Sequence, residues 1–219
     1  MTRGFRDRRD AGAQLAQKLA RYARYPGVIV LGLPRGGVPV AYEVAEALHA
    51  PLDVFLVRKL GVPGHRELAM GAIASGGVRV LNPEVVTALQ ISDAVLDGVA
   101  AHEQQEIERQ QHLYRGDLPY PALRGRTVIV VDDGLATGST MRAAIRALRE
   151  MEPAKIVAAA PVAAAETCRS LVTEADEVVC VSTPDAFQAV SLWYQEFSQT
   201  TDAEVRHLLE AAAQAAPAR

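Results

Sequence analysis

Val128-Ile129-Val130-Val131-Asp132-Asp133-Gly134-Leu135-Ala136-Thr137-Gly138-Ser139-Thr140 is the segment that decides the fold of this chain. It opens with four β-branched apolar residues, a pattern typical of a strand buried on both faces in a parallel sheet. Two carboxylates end the strand, a loop of small and hydroxyl-bearing residues follows, and residues 141–150 have the pattern of a helix. Because ligands of open α/β sheets bind beyond the carboxyl ends of the strands, this loop is predicted to be a binding site.

The loop combines groups that bind a phosphate dianion with groups that bind a diol. Its backbone N–H groups, the hydroxyls of Thr137, Ser139 and Thr140, and the following helix N-terminus all favour an anion. Asp132 and Asp133 would repel that anion, so we assign them a second purpose. They accept hydrogen bonds from vicinal sugar hydroxyls, or hold Mg²⁺ that also binds the phosphates of the ligand. Together these groups predict a ribose 5-phosphate site.

Two other nucleotide-binding motifs do not fit this segment. A Walker A loop requires Lys before its final Ser or Thr, and Gly138 stands at that position. A dinucleotide fingerprint requires G-x-G-x-x-G directly after the strand, where this chain has Asp132 and Asp133.

The segment resembles the signature of the type I phosphoribosyltransferase family. That signature is an apolar strand, two acidic residues and a loop of the form x-x-A-T-G-[GS]-T, which binds phosphoribosyl pyrophosphate (PRPP). The resemblance implies that PRPP is bound by Asp132, Asp133, Gly134, Leu135, Ala136, Thr137, Gly138, Ser139 and Thr140. It also implies that Asp132 and Asp133 are the catalytic residues and the direct or indirect ligands of a Mg²⁺ cofactor.

A second candidate anion loop, Leu33-Pro34-Arg35-Gly36-Gly37, follows the predicted strand at residues 28–31. Paired glycines let the backbone approach a ligand, and a guanidinium is a fork of donors suited to phosphate oxygens. On its own, the segment is equally compatible with a plain turn. The family resemblance implies that Arg35, Gly36 and Gly37 bind pyrophosphate, and that the Pro34–Arg35 peptide bond before the glycines is cis.

Basic residues and a loop follow the next predicted strand, residues 53–57. Arg58 and Lys59 are compatible with a solvated pair or with pyrophosphate binding, and the resemblance implies the second role. Residues 60–68 match, in position, the flexible loop of the family, which closes over the site and keeps water from the reactive anomeric carbon. Residues 69–74 and 78–81 are predicted to form a hairpin.

Strands and helices alternate from Val28 to Val181, which predicts an α/β fold with a mainly parallel twisted sheet flanked by helices. We expect one domain, residues 1–219, with an exposed insertion at residues 82–120 that contains a long polar helix. Residues 1–25, with a helix predicted at 10–25, and residues 184–213 are candidates for a hood over the acceptor. Four aromatic residues of the second candidate, Phe187, Trp193, Tyr194 and Phe197, stack on a heterocycle or form core.

Composition narrows the class of protein. A net charge of −3 argues against a nucleic-acid partner, which would need a basic face. No apolar run approaches the ~20 residues that cross a bilayer, so no membrane partner is expected. The charged N-terminus lacks a signal segment, and Cys168 and Cys180 have no C-x-x-C spacing, so a cytoplasmic location is expected.

The resemblance implies transfer of a phosphoribosyl group from PRPP to a nitrogen nucleophile, with loss of Mg-pyrophosphate. Ala136 stands where the hypoxanthine/guanine branch of the family has an Asp that handles a proton on the base, so a 6-oxopurine acceptor is disfavoured. The alternative is a regulatory protein that senses PRPP with the same fold. The expected partners are PRPP and a small-molecule acceptor, and the oligomeric state is left open, with a homodimer as the candidate.

Overall fold

Five parallel strands form the central sheet of the computed structural model, in the order β2-β1-β6-β7-β8. The structure describes residues 4–215, apart from the side chains of residues 66 and 67, so the two ends of the predicted domain 1–219, including the start of hood candidate 1–25, lie outside it. The strands are β1 Val28–Gly32, β2 Leu52–Val54, β3 Val57–Val62, β4 His65–Ala74, β5 Val78–Leu81, β6 Thr127–Val131, β7 Lys155–Val162 and β8 Glu177–Ser182. The helices are α1 Arg8–Lys18, α2 Gly37–Leu48, α3 Pro83–Ala88, α4 Asp93–Arg115, α5 Ser139–Arg149, α6 Ala165–Leu171 and α7 Asp202–Ala215.

The central strands are apolar on both faces because helices cover both sides of the sheet. Every residue of β1 and β6 is buried. Alternate residues point to opposite faces, so Ile29 and Leu31 pack in the layer of α5 and α6, whereas Val28 and Val30 pack in the layer of α1 and α2. The predicted α/β fold with a parallel sheet flanked by helices is therefore confirmed.

The direction of chain progression across the sheet reverses between β1 and β6. From β1 the chain moves outward to β2, whereas from β6 it moves the other way to β7 and β8. β1 and β6 pair in parallel with Gly32 opposite Val131, so their carboxyl ends lie side by side. A ligand crevice is expected at such a reversal, and both candidate anion loops leave the sheet there.

A second, antiparallel sheet with the order β3-β4-β5 accounts for most of the differences from the sequence prediction. The strand predicted at residues 53–57 is two strands: β2 belongs to the parallel sheet, and β3 begins the second sheet. Phe55, which is fully buried, and Leu56 lie between them. The sequence placed Arg58 and Lys59 at the carboxyl end of a parallel strand. In the structure they lie inside β3 instead.

The predicted loop at residues 60–68 is a β-hairpin in the structure. β3 continues to Val62, a turn at Pro63 and Gly64 follows, and β4 begins at His65. The glycines suggested a loop, but residues 60–62 of β3 pair with residues 65–71 of β4, which extends both strands towards the turn. Register shifts on either side of Gly61 mark bulges near the turn. The predicted hairpin between β4 and β5 is confirmed.

The long helix of the insertion at residues 82–120 packs more closely than predicted. α4 buries Leu96, Ala100, Ile107 and Tyr114 in one cluster with residues of β3, β4 and α7. The buried face of α4 was hard to recognise in the sequence, because its apolar residues are widely spaced and one of them is a small alanine. Their spacing nevertheless matches one face of a helix. The rest of the helix is mainly exposed, as predicted for an insertion.

The two candidate hood segments meet beside the sheet. The first helix is shorter than predicted, because α1 ends at Lys18 and a 3₁₀ turn follows at Ala20–Tyr22. Phe5 pairs with Tyr194 in an isolated β-bridge. Four further aromatic or aliphatic side chains of the second hood candidate, residues 184–213 (the C-terminal segment), pack around them, namely Phe187, Val190, Trp193 and Phe197. These aromatic residues form a small core. Within residues 4–215, no helix is long and apolar enough to cross a membrane.

Candidate active site

The segment that follows β6 and runs into α5, residues 132–140 (the β6 loop), borders an open cavity of about 180 Å³ lined by Asp132, residues 134–141 and Val190. Gly138 is the N-cap residue of α5 and has a left-handed backbone with φ 68°. A glycine there has no side chain with which to cap the first N–H groups of the helix. The hydroxyls of Thr137 and Ser139 lie 3.2 Å apart at the same edge. The residues that the sequence predicted to supply backbone donors, hydroxyls and a helix N-terminus thus line one cavity.

Thr167, on α6, packs against the β6 loop. It is a site residue that was not predicted from the sequence. Its hydroxyl donates a 2.5 Å hydrogen bond to the carbonyl oxygen of Ala136. Its Cγ2 would lie 2.6 Å from a Cβ at Gly138, so α6 packs directly on the left-handed turn. One threonine therefore fixes two positions of the loop.

The segment that follows β1 and runs into α2, residues 33–37 (the β1 loop), lies directly against Asp132 and Asp133. The Pro34–Arg35 peptide bond is cis, as the resemblance implied. A Cβ at Gly37 would lie 2.6 Å from the carbonyl oxygen of Val131, and one at Gly36 would overlap Oδ2 of Asp133. Both glycines are required because no side chain fits between the two loops.

Asp132 and Asp133 are half-buried. Burial, followed by the charge of Asp133, raises the pKa of Asp132 well above its ordinary range. Burial also raises the pKa of Asp133, while the guanidinium of Arg8 opposes that rise. A ligand that brings positive charge or hydroxyl donors to this pair would stabilise the ionised form, so the pair is suited to a metal ion or a diol.

Arg8, on α1, is a second site residue that was not predicted from the sequence. Its Nε donates to Oδ2 of Asp133 at 2.9 Å, and its Nη1 donates to the carbonyl oxygen of Ser198 at 2.7 Å. Its guanidinium lies 4.0 Å from the centre of the Phe197 ring. The sequence carries no local signal for this contact, because Arg8 is one of several basic residues in a charged N-terminal segment.

Arg58 and Lys59 point to opposite sides of β3, as neighbouring strand residues must. Lys59 Nζ donates to Ser139 Oγ at 2.9 Å, which brings it to the β6 loop. Arg58 Nε donates to Glu103 of α4 at 2.7 Å. Both basic residues nevertheless line one open cavity of about 290 Å³ with Glu103 and Thr140. The structure thus brings both to the edge of the candidate site.

Arg35 is exposed and lies beside the start of α7. Its Nη1 is 3.8 Å from Oδ1 of Asp202, and the same oxygen accepts a 2.5 Å hydrogen bond from Tyr114. Burial, followed by this carboxylate, raises the pKa of the Tyr114 hydroxyl. Arg35 therefore has a protein partner in the structure, although its exposure leaves it accessible to an anionic ligand.

The C-terminal segment closes the other side of the acidic pair. Tyr194, nearly buried, donates a 2.5 Å hydrogen bond from its hydroxyl to the carbonyl oxygen of Asp133. Val190 packs so closely on Gly134 that a Cβ there would overlap Val190 Cγ1. Residues 190 and 194 thus form one wall beside the loop.

Comparison with known proteins identifies the family. The model for the phosphoribosyl transferase domain matches residues 6–195, which is most of the chain and includes both candidate anion loops. The chain belongs to this family.

The relatives agree with that assignment. A Mycobacterium tuberculosis H37Rv protein, Rv0571c, whose name provisionally assigns it phosphoribosyl transfer, is 48% identical over 208 residues, 95% of this chain and 47% of that protein. The chain thus spans about half the length of the curated relatives it matches most extensively. The bifunctional protein PyrR of Chloroflexus aurantiacus is 33% identical over 125 residues, 56% of this chain and 63% of that protein. The crystal structure of TT1426 from Thermus thermophilus has a TM-score of 0.84 and 43% identity, covering 94% of this chain and 97% of that one.

Proposed function

We propose that the protein is a Mg²⁺-dependent phosphoribosyltransferase that uses PRPP and a nitrogen nucleophile other than a 6-oxopurine. The observation that carries the proposal is the contact between the two loops at the β1/β6 reversal. The β6 loop offers phosphate donors and the carboxylates Asp132 and Asp133, and the β1 loop offers Gly36 and Gly37 within contact distance of them. A ligand with a phosphate at one end, a diol in the middle and a pyrophosphate at the other end fits this order of groups.

In the proposed reaction, the bond between C1 of the ribose and the pyrophosphate oxygen breaks as a bond from C1 to the acceptor nitrogen forms. The oxygen leaves with the bonding electron pair, the nitrogen supplies a pair, and the nitrogen then loses a proton. Positive charge grows on the sugar and negative charge on the leaving group, so catalysis is mainly positioning and electrostatic stabilisation. Arg35 offers positive charge on the pyrophosphate side, whereas Lys59, which bonds to Ser139, and Arg58 offer it beside the β6 loop.

Mg²⁺ fits the donors present, because buried carboxylates and ligand hydroxyls are the hard oxygen donors that it prefers. Asp132, which lines the cavity, would hold it, directly or through the ribose hydroxyls, with Asp133 adding negative charge beside it, and it would supply charge neutralisation for the departing pyrophosphate. The acceptor would enter beside Val190 and Tyr194. Ala136 lines the cavity with a methyl group alone, which supports an acceptor that does not need a protein acid at this position.

The proposal is tested by incubating the protein with PRPP, MgCl₂ and a panel of bases and amines, and measuring pyrophosphate release and nucleotide formation. We expect one acceptor to give a stoichiometric ribonucleotide, with no release when EDTA replaces MgCl₂. The matched control is Asp132→Asn, which keeps the size of the side chain and removes its charge. PRPP binding without turnover on any acceptor would favour the PRPP-sensing alternative, and the absence of PRPP binding would refute both.

A further inference from the structure

The two carboxylates of the acidic pair have different surroundings. Asp132 lines the cavity of the β6 loop, together with the phosphate-binding groups. Oδ2 of Asp133 instead lies between Arg8, whose Nε is 2.9 Å away, and Gly36, which approaches so closely that a Cβ there would overlap this oxygen. Neighbouring acidic residues that would be equivalent by sequence are therefore not equivalent in space.

Arg8 is itself held in place by several groups. It is the first residue of α1, and Asp7 caps that helix by accepting a 2.8 Å hydrogen bond from the N–H of Asp10. The Arg8 guanidinium also donates to the carbonyl oxygen of Ser198 and stacks on Phe197. Only 12% of its side chain and 15% of that of Asp133 are exposed. An ion pair this enclosed has a defined geometry, which exposed pairs of long side chains lack.

Asp133 is also held through its backbone. Its carbonyl oxygen accepts the hydrogen bond from Tyr194, while its N–H donates a 2.9 Å hydrogen bond to Oδ1 of Asp132. Side chain and main chain are thus fixed by three different parts of the chain. A residue held in this way cannot turn its carboxylate towards the cavity without breaking the pair with Arg8.

We propose that Arg8 is a positioning residue, which holds the Asp133 carboxylate against the Gly36–Gly37 loop and leaves Asp132 as the carboxylate that contacts the ribose. The inference rests on the proposed function, since that function assigns ribose to the cavity. Arg8 then acts on PRPP through Asp133: it sets the distance between the two ligand loops and offsets one of two negative charges beside an anionic ligand.

The experiment compares PRPP affinity among single variants, by calorimetry in MgCl₂. Asp132→Asn should weaken binding about 100-fold, because it removes the charged acceptor for the diol. Asp133→Asn should weaken binding less than Asp132→Asn does, because the amide oxygen still accepts from Arg8. Arg8→Ala should weaken binding about tenfold, which corresponds to about 1.4 kcal/mol, since it leaves Asp133 enclosed without its partner.

Chemical rescue separates positioning from general loss of structure. Guanidinium ion at millimolar concentration should restore the affinity of Arg8→Ala and should have a smaller effect on Arg8→Gln, whose side chain occupies part of the space that the ion needs. The control for a lost surface arginine is Arg9→Ala, because Arg9 pairs with Glu43 on the surface with 72% of its side chain exposed. We expect this variant to bind PRPP like the wild type.

Two results would overturn the inference. The first is an Asp133→Asn variant that loses as much PRPP affinity as Asp132→Asn, which would make both carboxylates ribose ligands; this comparison holds even if Arg8 variants fold poorly. The second is an Arg8→Ala variant that folds and binds PRPP like Arg9→Ala. Failure of the proposed function looks different: a wild type that binds PRPP without turnover would defeat the transferase proposal and leave this comparison of variants intact, whereas a wild type that does not bind PRPP would defeat both.

Discussion

The hydroxyl of Thr167 donates a 2.5 Å hydrogen bond to the carbonyl oxygen of Ala136, which links α6 to the loop that we assign to the 5-phosphate. The two residues lie 31 positions apart in the chain. The carbonyl end of the Ala136–Thr137 peptide is thus held by α6, and its N–H end is oriented with it. The loop is shaped before a ligand arrives, which lowers the ordering cost of binding.

Thr167→Val tests this link, because it removes the hydroxyl and keeps the shape of the side chain. A lost hydrogen bond of this kind is worth about 0.5–1.5 kcal/mol, so we expect PRPP affinity to fall by about three- to tenfold. Thr167→Ser should retain most of the affinity. The matched control is Thr173→Val, since the Thr173 hydroxyl bonds to the carbonyl oxygen of Ser170, away from the loop. Equal affinities for Thr167→Val and Thr173→Val would contradict the prediction.

The double variant Asp132→Asn/Asp133→Asn should lose PRPP binding and turnover while keeping its fold. Both side chains keep their size, and the amide oxygen at position 132 can still accept from the N–H of residue 133. Calorimetry gives the affinity, and circular dichroism checks the fold. Wild-type affinity in the presence of MgCl₂ would show that the pair does not contact the ribose.

Stability should depend on pH through Asp132. Its pKa is raised in the folded protein by burial and by Asp133, so at pH values above about 4 the folded state binds more protons than the unfolded state. The free energy of unfolding must then fall as pH rises from about 4 through the raised pKa. Asp132→Asn removes this dependence, and its gain in melting temperature over the wild type should grow between pH 5 and pH 8.

The control for that measurement is Asp117→Asn, because the Asp117 side chain is 99% exposed. Its melting temperature should follow the wild type at every pH. A gain for Asp132→Asn that is the same at pH 5 and pH 8 would mean that the charge of Asp132 does not oppose folding.

The tip of the β3–β4 hairpin should be the part of the second sheet that responds to ligand. Leu60 is fully buried and paired with Gly71, whereas the bulges beside Gly61 interrupt the ladder towards the turn. We expect amides at residues 61–68 to exchange faster than those of β6, and to become protected when PRPP and MgCl₂ bind. Hydrogen exchange followed by mass spectrometry measures both. Strong protection with and without ligand would remove a closing lid from the mechanism.

Guanine and hypoxanthine should be poor acceptors. Ala136 is exposed at the cavity and offers no group to handle a proton on the base. A general acid or base contributes roughly 10²–10⁴-fold to rate, so turnover with these bases should be lower than with the true acceptor by about that factor. Rapid formation of a nucleotide from guanine, measured by chromatography, would contradict this prediction and would favour the hypoxanthine/guanine branch of the family.

The parts of the site that could be predicted are those carried by one continuous segment. Strand, acidic pair, small-residue loop and helix follow one another from Val128 onward, so local pattern determines their arrangement, and the neighbouring cis bond at Pro34–Arg35 was expected from the family. Arg8 and Thr167 could not be predicted, because each reaches the site across the fold and neither has a distinctive neighbour in sequence. The hairpin at residues 60–68 was missed because its glycines suggested a loop, whereas residues 60–62 pair with β4 in the structure.

The close approach of Gly36 to Asp133 makes the residue tolerated at one position depend on the residue at the other. Because a Cβ at position 36 would overlap Oδ2 of Asp133, even alanine at position 36 requires a shorter residue at position 133 or a displaced loop. A larger residue at position 36 would therefore have to follow or accompany a shorter one at position 133, since the replacement at position 36 alone makes the two ligand loops collide.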